Sequence, residues 1–240
     1  MPKTPAPNLR ACSSDFLLRN AILSIEREIK LTLPTSQHDE IAQDFTERTG
    51  KQGRKITLTN VYFDTPDRAL ASAKSALRLR GAPDQWLQTY KTAGEAKDGL
   101  HSRHEWELPV AGEALEINAL LEICDDESAR QALQEAAPEL ADLFRTDFTR
   151  VIWEVEHEGA MIEAALDLGE VSAEVDGEHR SAPISELELE LKSGDEKALT
   201  TLAAEIRGAF LYLQAEDISK ARRGYDLVAQ PKEKPLGGIK

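Results

Sequence analysis

Carboxylates recur at every second position in three segments of the sequence. They are Glu26-x-Glu28, Glu105-x-Glu107 and Glu186-x-Glu188-x-Glu190. Because successive residues of a β-strand face opposite sides of a sheet, each set would lie on one face of its strand. Like charges this close destabilise a sheet, most of all in the triple set. Since Mg²⁺, Mn²⁺ and Ca²⁺ prefer oxygen ligands, such a cluster indicates a divalent cation site.

Basic side chains are placed in the same alternating way. Lys30 follows Glu28 on its face, Arg103 begins the face of the second acidic pair, and Arg78 and Arg80 share a third face. Arginine forms bidentate contacts with phosphate and lysine supplies a point charge, so this set suits a polyanionic ligand. The alternative is that all these charged faces are solvated and the opposite, apolar faces form an ordinary core.

The elements that would position these residues are mostly short strands. Alternation and turn residues predict strands over 25–31, 56–63, 75–80, 85–91, 101–110, 148–156, 161–171 and 185–191. Helices are predicted over 37–49, two or three times within 112–143, and over 196–213 and 219–227. The helices do not alternate one-for-one with the strands, which disfavours a parallel sheet. We predict an α+β fold, an antiparallel eight-stranded barrel with charged faces inward and helices covering the outside.

Composition limits the function classes. The net charge of −14 disfavours general nucleic-acid binding, and no apolar run approaches a membrane span. The N-terminus lacks a signal peptide pattern and only two cysteines occur, so we expect a cytoplasmic protein. One domain is expected over 23–228, with disordered extensions at 1–22 and 229–240. Zinc-type cysteine and histidine spacing, a P-loop and a G-x-S-x-G elbow are all absent from the sequence.

The order of the charged motifs resembles the CYTH family of triphosphate tunnel metalloenzymes. The matching segments are Glu26-Arg27-Glu28-Ile29-Lys30, Tyr62-Phe63-Asp64-Thr65-Pro66, Leu77-Arg78-Leu79-Arg80, Gln88-Thr89-Tyr90-Lys91, Arg103-His104-Glu105-Trp106-Glu107, Arg150-Val151-Ile152-Trp153, Ala165-Leu166-Asp167-Leu168-Gly169 and residues 185–192. The match runs from about residue 24 to 208. It implies a closed eight-stranded antiparallel barrel around a tunnel lined by charged side chains.

The resemblance also implies roles. Metal ligands would be Glu26, Glu28, at least two of Glu186, Glu188 and Glu190, and Asp167. Triphosphate would be held by Arg78, Arg80, Lys91, Arg103 and Arg150. Lys30, Glu28 and Tyr62 would act at the cleaved bond, whereas Glu105 and Glu107 would either position basic groups or hold water on a second metal ion. Two alternatives stay open: Arg145 for the position of Arg150, and simple packing for Tyr62.

The implied activity is hydrolysis of inorganic triphosphate with Mg²⁺ or Mn²⁺. Residues 217–225 resemble the connection to a helical CHAD domain, which favours this substrate, and we expect either a stand-alone barrel or a shortened form of a longer protein. Family members that are thiamine triphosphatases or class IV adenylyl cyclases provide alternative functions. A non-catalytic polyphosphate-binding module and a purely structural barrel are others. The expected partner is a small triphosphate, without nucleic acid or membrane, and a homodimer is left open.

Overall fold

The computed structural model describes residues 22–92 and 94–229, which form ten strands and six helices. The strands are β1 (Ile22–Thr32), β2 (Arg54–Asp64), β3 (Ser75–Ala82), β4 (Gln85–Thr92), β5 (Glu95–Lys97), β6 (Leu100–Val110), β7 (Ala141–His157), β8 (Ala160–Val175), β9 (Glu178–Ser193) and β10 (Gln214–Ala215). The helices are α1 (His38–Thr49), α2 (Ala69–Ser72), α3 (Ile117–Ile123), α4 (Glu127–Ala136), α5 (Glu196–Ala209) and α6 (Lys220–Ala229). None of these helices is both long enough and apolar enough to cross a lipid bilayer.

Eight of the strands close into an antiparallel barrel, as the sequence predicts. The order around the ring is β1-β9-β8-β7-β2-β3-β4-β6, and β6 returns to β1. Strand β1 closes the ring because its first part pairs with β6, from Ile22 to Ile29, and its second part pairs with β9, from Glu28 to Thr32. The short strands β5 and β10 add to β6 and β1 outside the ring.

Helices cover the outward, apolar faces of the strands. One cluster joins β1, β7, β8 and β9 to α1 and α5, around Leu187, Leu189 and Phe45. A second joins β3, β4 and β6 to α2, α3 and α4, around Tyr90 and Trp106. Each fully buried large apolar side chain contributes about 2 kcal/mol. Because the apolar faces point outward to these helices, the charged faces point inward, and the alternative of solvated charged faces is wrong.

Strands β7, β8 and β9 are longer than the sequence pattern predicts. Strand β7 begins at Ala141 rather than at residue 148, so the last residues of the predicted helical stretch 112–143 are extended. Strands β8 and β9 continue to a turn at Asp176 and Gly177, both with positive φ. Small and polar residues near this turn hide the alternation, which explains why the extension was not predicted.

Two other predictions differ at their ends. The helix expected over 196–213 ends at Ala209, because the apolar residues after it pack as a turn against the same cluster. The expected turn at 93–99 contains the short strand β5, which pairs with β6. The predicted terminal extensions, 1–22 and 229–240, lie almost wholly outside the described residues.

Helix α6 fills one end of the barrel interior. Val171 and Ile184 have the same strand parity as the inward-facing charged residues, and they pack with Phe144, Phe148 and Leu227 into an apolar cluster. Gly224 of α6 lies against the ring of Phe144, where an added Cβ would stand 2.1 Å from two ring carbons. This contact brings the start of α6 close to the inward charges of β8 and β9.

Candidate functional site

One cavity of about 880 Å³ runs through the barrel. The predicted site residues that line it are Glu26, Glu28, Lys30, Tyr62, Arg78, Arg80, Lys91, Arg103, Glu105, Glu107, Arg150, Glu188 and Glu190. The other two, Asp167 and Glu186, are fully buried in the wall. Strand alternation therefore brings all the predicted side chains to one cavity or its wall, although they come from eight different strands.

The wall formed by β8 and β9 holds a carboxylate triad. Asp167 and Glu186 are directly paired across these strands, and Glu188 follows Glu186 on the same face. Oxygen atoms of the three side chains lie within 4.8 Å of one another. All three side chains are buried. An all-oxygen set of this charge suits a hard divalent cation.

Lys220, the first residue of α6, forms ion pairs with all three carboxylates of this triad. Its Nζ atom lies 2.7 Å from Asp167 Oδ2 and 2.8 Å from Glu188 Oε1, and it also contacts Glu186. Burial alone would lower the pKa of Lys220, but the three carboxylates outweigh burial and raise that pKa. A divalent ion can therefore enter the middle of the triad only if the Lys220 side chain withdraws. The residues fit a metal ion on this condition.

Lys30 and Arg150 also form ion pairs with carboxylates of the triad. Lys30 contacts Glu188 and lies 3.7 Å from Glu186, and Arg150 makes two hydrogen bonds of 2.7 Å with Asp167. Burial would raise the pKa of Glu188, but Lys220, Lys30 and Arg150 hold it well below its usual value. These charges are consequently locked in a network that any entering ligand has to rearrange.

Glu26 and Glu28 belong to a second network rather than to the triad. Arg103 donates to Glu26 at 2.6 Å and to Glu28 at 2.8 Å, and Lys91 lies 3.0 Å from Glu26. Lys91 also lies 2.5 Å from Glu105. Burial would raise the pKa of Glu26, but Lys91 and Arg103 outweigh it and hold the pKa well below the usual value. The Glu26 carboxylate therefore faces the cavity as an anion.

Arg80 stands apart from both networks. Arg78, its neighbour, donates to Thr89 and lies 3.6 Å from Glu107. Arg80 instead donates to the Asn60 side-chain oxygen at 2.9 Å, and no carboxylate of the described chain lies within 4.0 Å of its guanidinium group. Burial and the charge of Arg78 lower the pKa of Arg80 to about 10. Arg80 is partly buried, and Glu107, a carboxylate whose charge acts on it, lies beyond 4.0 Å, so the guanidinium group is open to an anion.

The sequence left open whether Tyr62 only packs and whether Arg145 or Arg150 faces the site, and the structure shows where these three side chains lie. Tyr62 stacks on Phe144 with ring centroids 4.6 Å apart, and it also lines the cavity. Burial would raise its pKa, but Arg78 and Arg80 outweigh burial and lower it. Arg150 points into the cavity, whereas Arg145 is exposed and pairs with Asp147 outside it. Tyr62 therefore combines packing with contact to the cavity.

The surroundings of Glu190 and His101 are not indicated by their positions in the sequence. Glu190 lies outside the triad and pairs with Lys192 at 2.7 Å, and burial raises its pKa to about 7. His101 is buried, and its Nε2 atom lies 2.9 Å from the Glu216 carbonyl oxygen. The segment before α6 crosses over this strand and buries it.

Sequence reasoning missed Lys220 and Asn60. Lys220 lies within the segment 217–225, which was singled out only as a connection, although a lysine at the start of an amphipathic helix was visible there. Asn60 is a single polar residue among the apolar and threonine residues of β2, and nothing in its pattern marks it as an arginine partner. Both roles depend on which elements meet in three dimensions.

Comparisons with known proteins agree with this architecture. The family model described as "CYTH domain" matches residues 24–225. The chain is similar to a protein from Haemophilus influenzae named inorganic triphosphatase, with 36% identity over 208 residues. That alignment covers 85% of this chain and 55% of the relative, so the chain spans about half the length of the curated relative it matches.

Two solved structures share the fold. One is a protein from Hippeastrum, proposed to be an adenylyl cyclase and described as having a dominant triphosphatase activity (21% identity, TM-score 0.58, 90% of this chain and 100% of that chain). The other is a protein from Bacillus halodurans proposed to be an adenylate cyclase (22% identity, TM-score 0.53, 84% of this chain and 97% of that chain). At these identities the likeness concerns the fold alone. Because the family model covers most of the 240 residues, this chain belongs to the CYTH domain family.

Proposed function

We propose that this chain hydrolyses inorganic triphosphate inside the barrel. The observation that carries the proposal is the division of one cavity into two walls. One wall presents Arg80, a partly buried cation with no carboxylate of the described residues within 4.0 Å, beside Arg78. The other wall holds the triad of Asp167, Glu186 and Glu188. The similarity to a relative named inorganic triphosphatase supports the same substrate.

The chemistry requires positioning and charge neutralisation more than a covalent nucleophile. Arg80 and Arg78 would bind phosphate oxygens first, because Arg80 has no ion pair to break. Arg103, Lys91 and Arg150 would join by exchanging a carboxylate for a phosphate. Lys30, held between the triad and Glu28, would offset charge on the phosphate next to the cleaved bond, and Tyr62 would donate a hydrogen bond there.

The carboxylates divide into two proposed roles. Asp167, Glu186 and Glu188, with Glu26 and Glu28 facing the same cavity, would hold Mg²⁺ or Mn²⁺, which when bound neutralises phosphate oxygens and lowers the pKa of a water molecule. Glu105 and Glu107 lie against Lys91 and Arg78, so we propose that they orient those cations. Glu190 would add charge at the edge of the metal site. In this arrangement affinity resides in the phosphate chain rather than in an organic group.

The partner and location proposals rest on composition. A small triphosphate fits a cavity of this size, and a chain with a net charge of −14 is a poor general binder of nucleic acid. Cys124 is a buried free thiol, which is compatible with a reducing cytoplasm.

Phosphate release tests the proposed function. Tripolyphosphate, ATP and thiamine triphosphate would each be assayed with Mg²⁺, with Mn²⁺ and with EDTA. We expect metal-dependent release that is fastest from tripolyphosphate and falls at least 100-fold, of the order seen when transition-state charge stabilisation is removed, in Glu188→Gln. Glu170→Gln, at an exposed position on β8, is the matched control and should keep full activity. Release from none of the three compounds would rule out the hydrolase, and preference for ATP or thiamine triphosphate would reassign its substrate.

A further inference from the structure

Two cations flank the short helix α2 in a strained backbone conformation. Arg68 has φ of 62° and Lys74 has φ of 56°, both in the left-handed region. This conformation costs about 1–2 kcal/mol for a residue with a side chain, and glycine or asparagine would adopt it more readily. Both residues nevertheless carry long cationic side chains, and both line the mouth of the cavity. Strain kept at two such positions indicates that their side chains have a use.

The turn that carries these cations is held rigidly. Asp64, at the end of β2, accepts hydrogen bonds from the backbone N–H groups of Leu70 at 2.9 Å and Ala71 at 3.0 Å. It also accepts a hydrogen bond from the Tyr225 hydroxyl at 2.8 Å. The turn is therefore fixed to helix α6 across the mouth. Arg68 and Tyr225 line the same cavity.

Neither cation is neutralised by the protein. Among residues 22–92 and 94–229, no carboxylate oxygen lies within 4.0 Å of the charged nitrogen atoms of Arg68 or Lys74. The nearby carboxylate of Asp64 is already occupied by its donors. The ammonium and guanidinium groups are thus available to an anion that emerges from the tunnel.

Lys74 continues a row of cavity-lining residues on β3. Arg80, Arg78 and Ala76 line the cavity at alternate positions of β3, and Lys74 immediately precedes that strand. Lys74 adjoins Ser75, the first residue of β3, and at about 3.3 Å per residue Ser75 lies roughly 10 Å from Arg78 along the strand direction. A group bound there belongs to a ligand that continues past the inner arginines. Because the added contacts are all cationic, the continuation has to be anionic.

We infer that Arg68 and Lys74 form an outer subsite for the additional phosphates of a linear polyphosphate longer than triphosphate. The inference rests on the proposed function for the inner site and extends its substrate class to longer chains. Inner and outer phosphates then occupy one continuous track from Arg80 to the mouth. A nucleoside or thiamine group would gain nothing from these two cations.

Binding without turnover tests the subsite. Isothermal titration in EDTA would compare tripolyphosphate, tetrapolyphosphate, a longer linear polyphosphate and ATP on the wild type and on the double variant Arg68→Asn/Lys74→Asn. Asparagine tolerates the left-handed conformation, so the turn should keep its fold. The double variant Lys51→Asn/Lys55→Asn, which removes two exposed cations outside the cavity, is the charge-matched control.

We expect the double variant to bind the longer polyphosphate about tenfold more weakly, the loss typical of two exposed charge contacts, with Kd for tripolyphosphate and ATP unchanged. Unchanged binding of the longer chain, an equal loss for tripolyphosphate, or no binding of any probe by the wild type would each overturn the subsite. If chain-length-dependent binding is seen but no phosphate is released with metal, the proposed hydrolysis fails while the subsite stands.

Discussion

The ammonium group of Lys220 lies 2.7 Å from the carboxylate of Asp167, a side chain with no solvent exposure. The same ammonium group contacts Glu186 and Glu188, so helix α6 supplies one counter-ion of the carboxylate triad. A divalent ion held by the triad, as proposed above, would compete with this ammonium group for the same oxygen atoms.

The variant Lys220→Met should show whether the Lys220 ammonium group and a divalent ion compete for the carboxylate triad. Removing one partner from a buried ion network costs about 3–5 kcal/mol, so the variant should be less stable than the wild type in EDTA. Without the competing ammonium group, Mn²⁺ or Mg²⁺ should raise its unfolding midpoint more than it raises that of the wild type. Thermal denaturation with and without each ion measures both effects, with Lys55→Met, at an exposed strand position, as control. Equal metal-induced shifts in variant and wild type would refute the competition.

Arg80→Gln and Arg103→Gln should change stability in opposite directions. Arg80 has no carboxylate partner and is repelled by Arg78, so its neutralisation should raise Tm while weakening triphosphate binding at least tenfold. Arg103 compensates Glu26 and Glu28, so its loss should cost about 3–5 kcal/mol in the free energy of unfolding. Denaturation and titration with tripolyphosphate measure both quantities. A fall in Tm for Arg80→Gln would show that this guanidinium group is structural.

Glu190→Gln should alter the pH dependence of stability. The pKa of Glu190 is raised to about 7 in the folded protein, from an ordinary value of 4.5, chiefly by burial. The folded state therefore holds a proton that the unfolded state releases, and wild-type stability falls as pH rises between these two values. Glutamine cannot titrate, so the Tm of the variant minus that of the wild type should grow from pH 4.5 to 7 and then level off. Measurements in EDTA with Glu170→Gln as an exposed control would test this, and a constant difference would contradict it.

Gly224→Ala and Gly208→Ala form a matched pair. An alanine Cβ at 224 would stand 2.1 Å from carbons of the Phe144 ring, whereas at 208 it would meet nothing within 4 Å. We expect Gly224→Ala to destabilise the protein by about 1–3 kcal/mol through overpacking, and Gly208→Ala to stabilise helix α5 by up to about 1 kcal/mol. Urea denaturation compares them. Equal effects at the two positions would show that α6 is not packed against Phe144 in solution.

The barrel could be predicted from the sequence because apolar and charged residues alternate along each strand. The apolar positions show which face of the strand the helices cover. In Leu187-x-Leu189, between the glutamates of β9, both burial of one face and charge on the other are visible directly. The same parity predicted that ten of the thirteen cavity-lining side chains would face the interior, whereas Tyr62, Lys91 and Arg150 were predicted from the resemblance to the CYTH family. Local pattern is sufficient here because the alternation within each strand shows which residues face the barrel interior and which face the covering helices.

Features that depend on contact between distant elements could not be predicted in the same way. The role of Lys220 requires α6 to dock on β8 and β9, and that docking rests on the fit of Gly224 against Phe144. The end of α5 was misplaced because Phe210 and Leu213 are spaced like helix residues but lie in a turn, in which Leu213 is buried and Phe210 is partly buried. In each case tertiary packing overrides what local spacing indicates.

The double pairing of β1 also determines when the tunnel can form. Lys30 and Glu188 meet across the seam although they are separated by 158 positions in the chain. Contacts this remote in sequence form slowly, since a long loop has to close before they contribute. During synthesis β1 leaves the ribosome before β9 and has no β9 partner until residue 193 has been made. Strand β1 is therefore secured late although it is made before the other strands of the ring, and a chain interrupted before β9 cannot close this barrel.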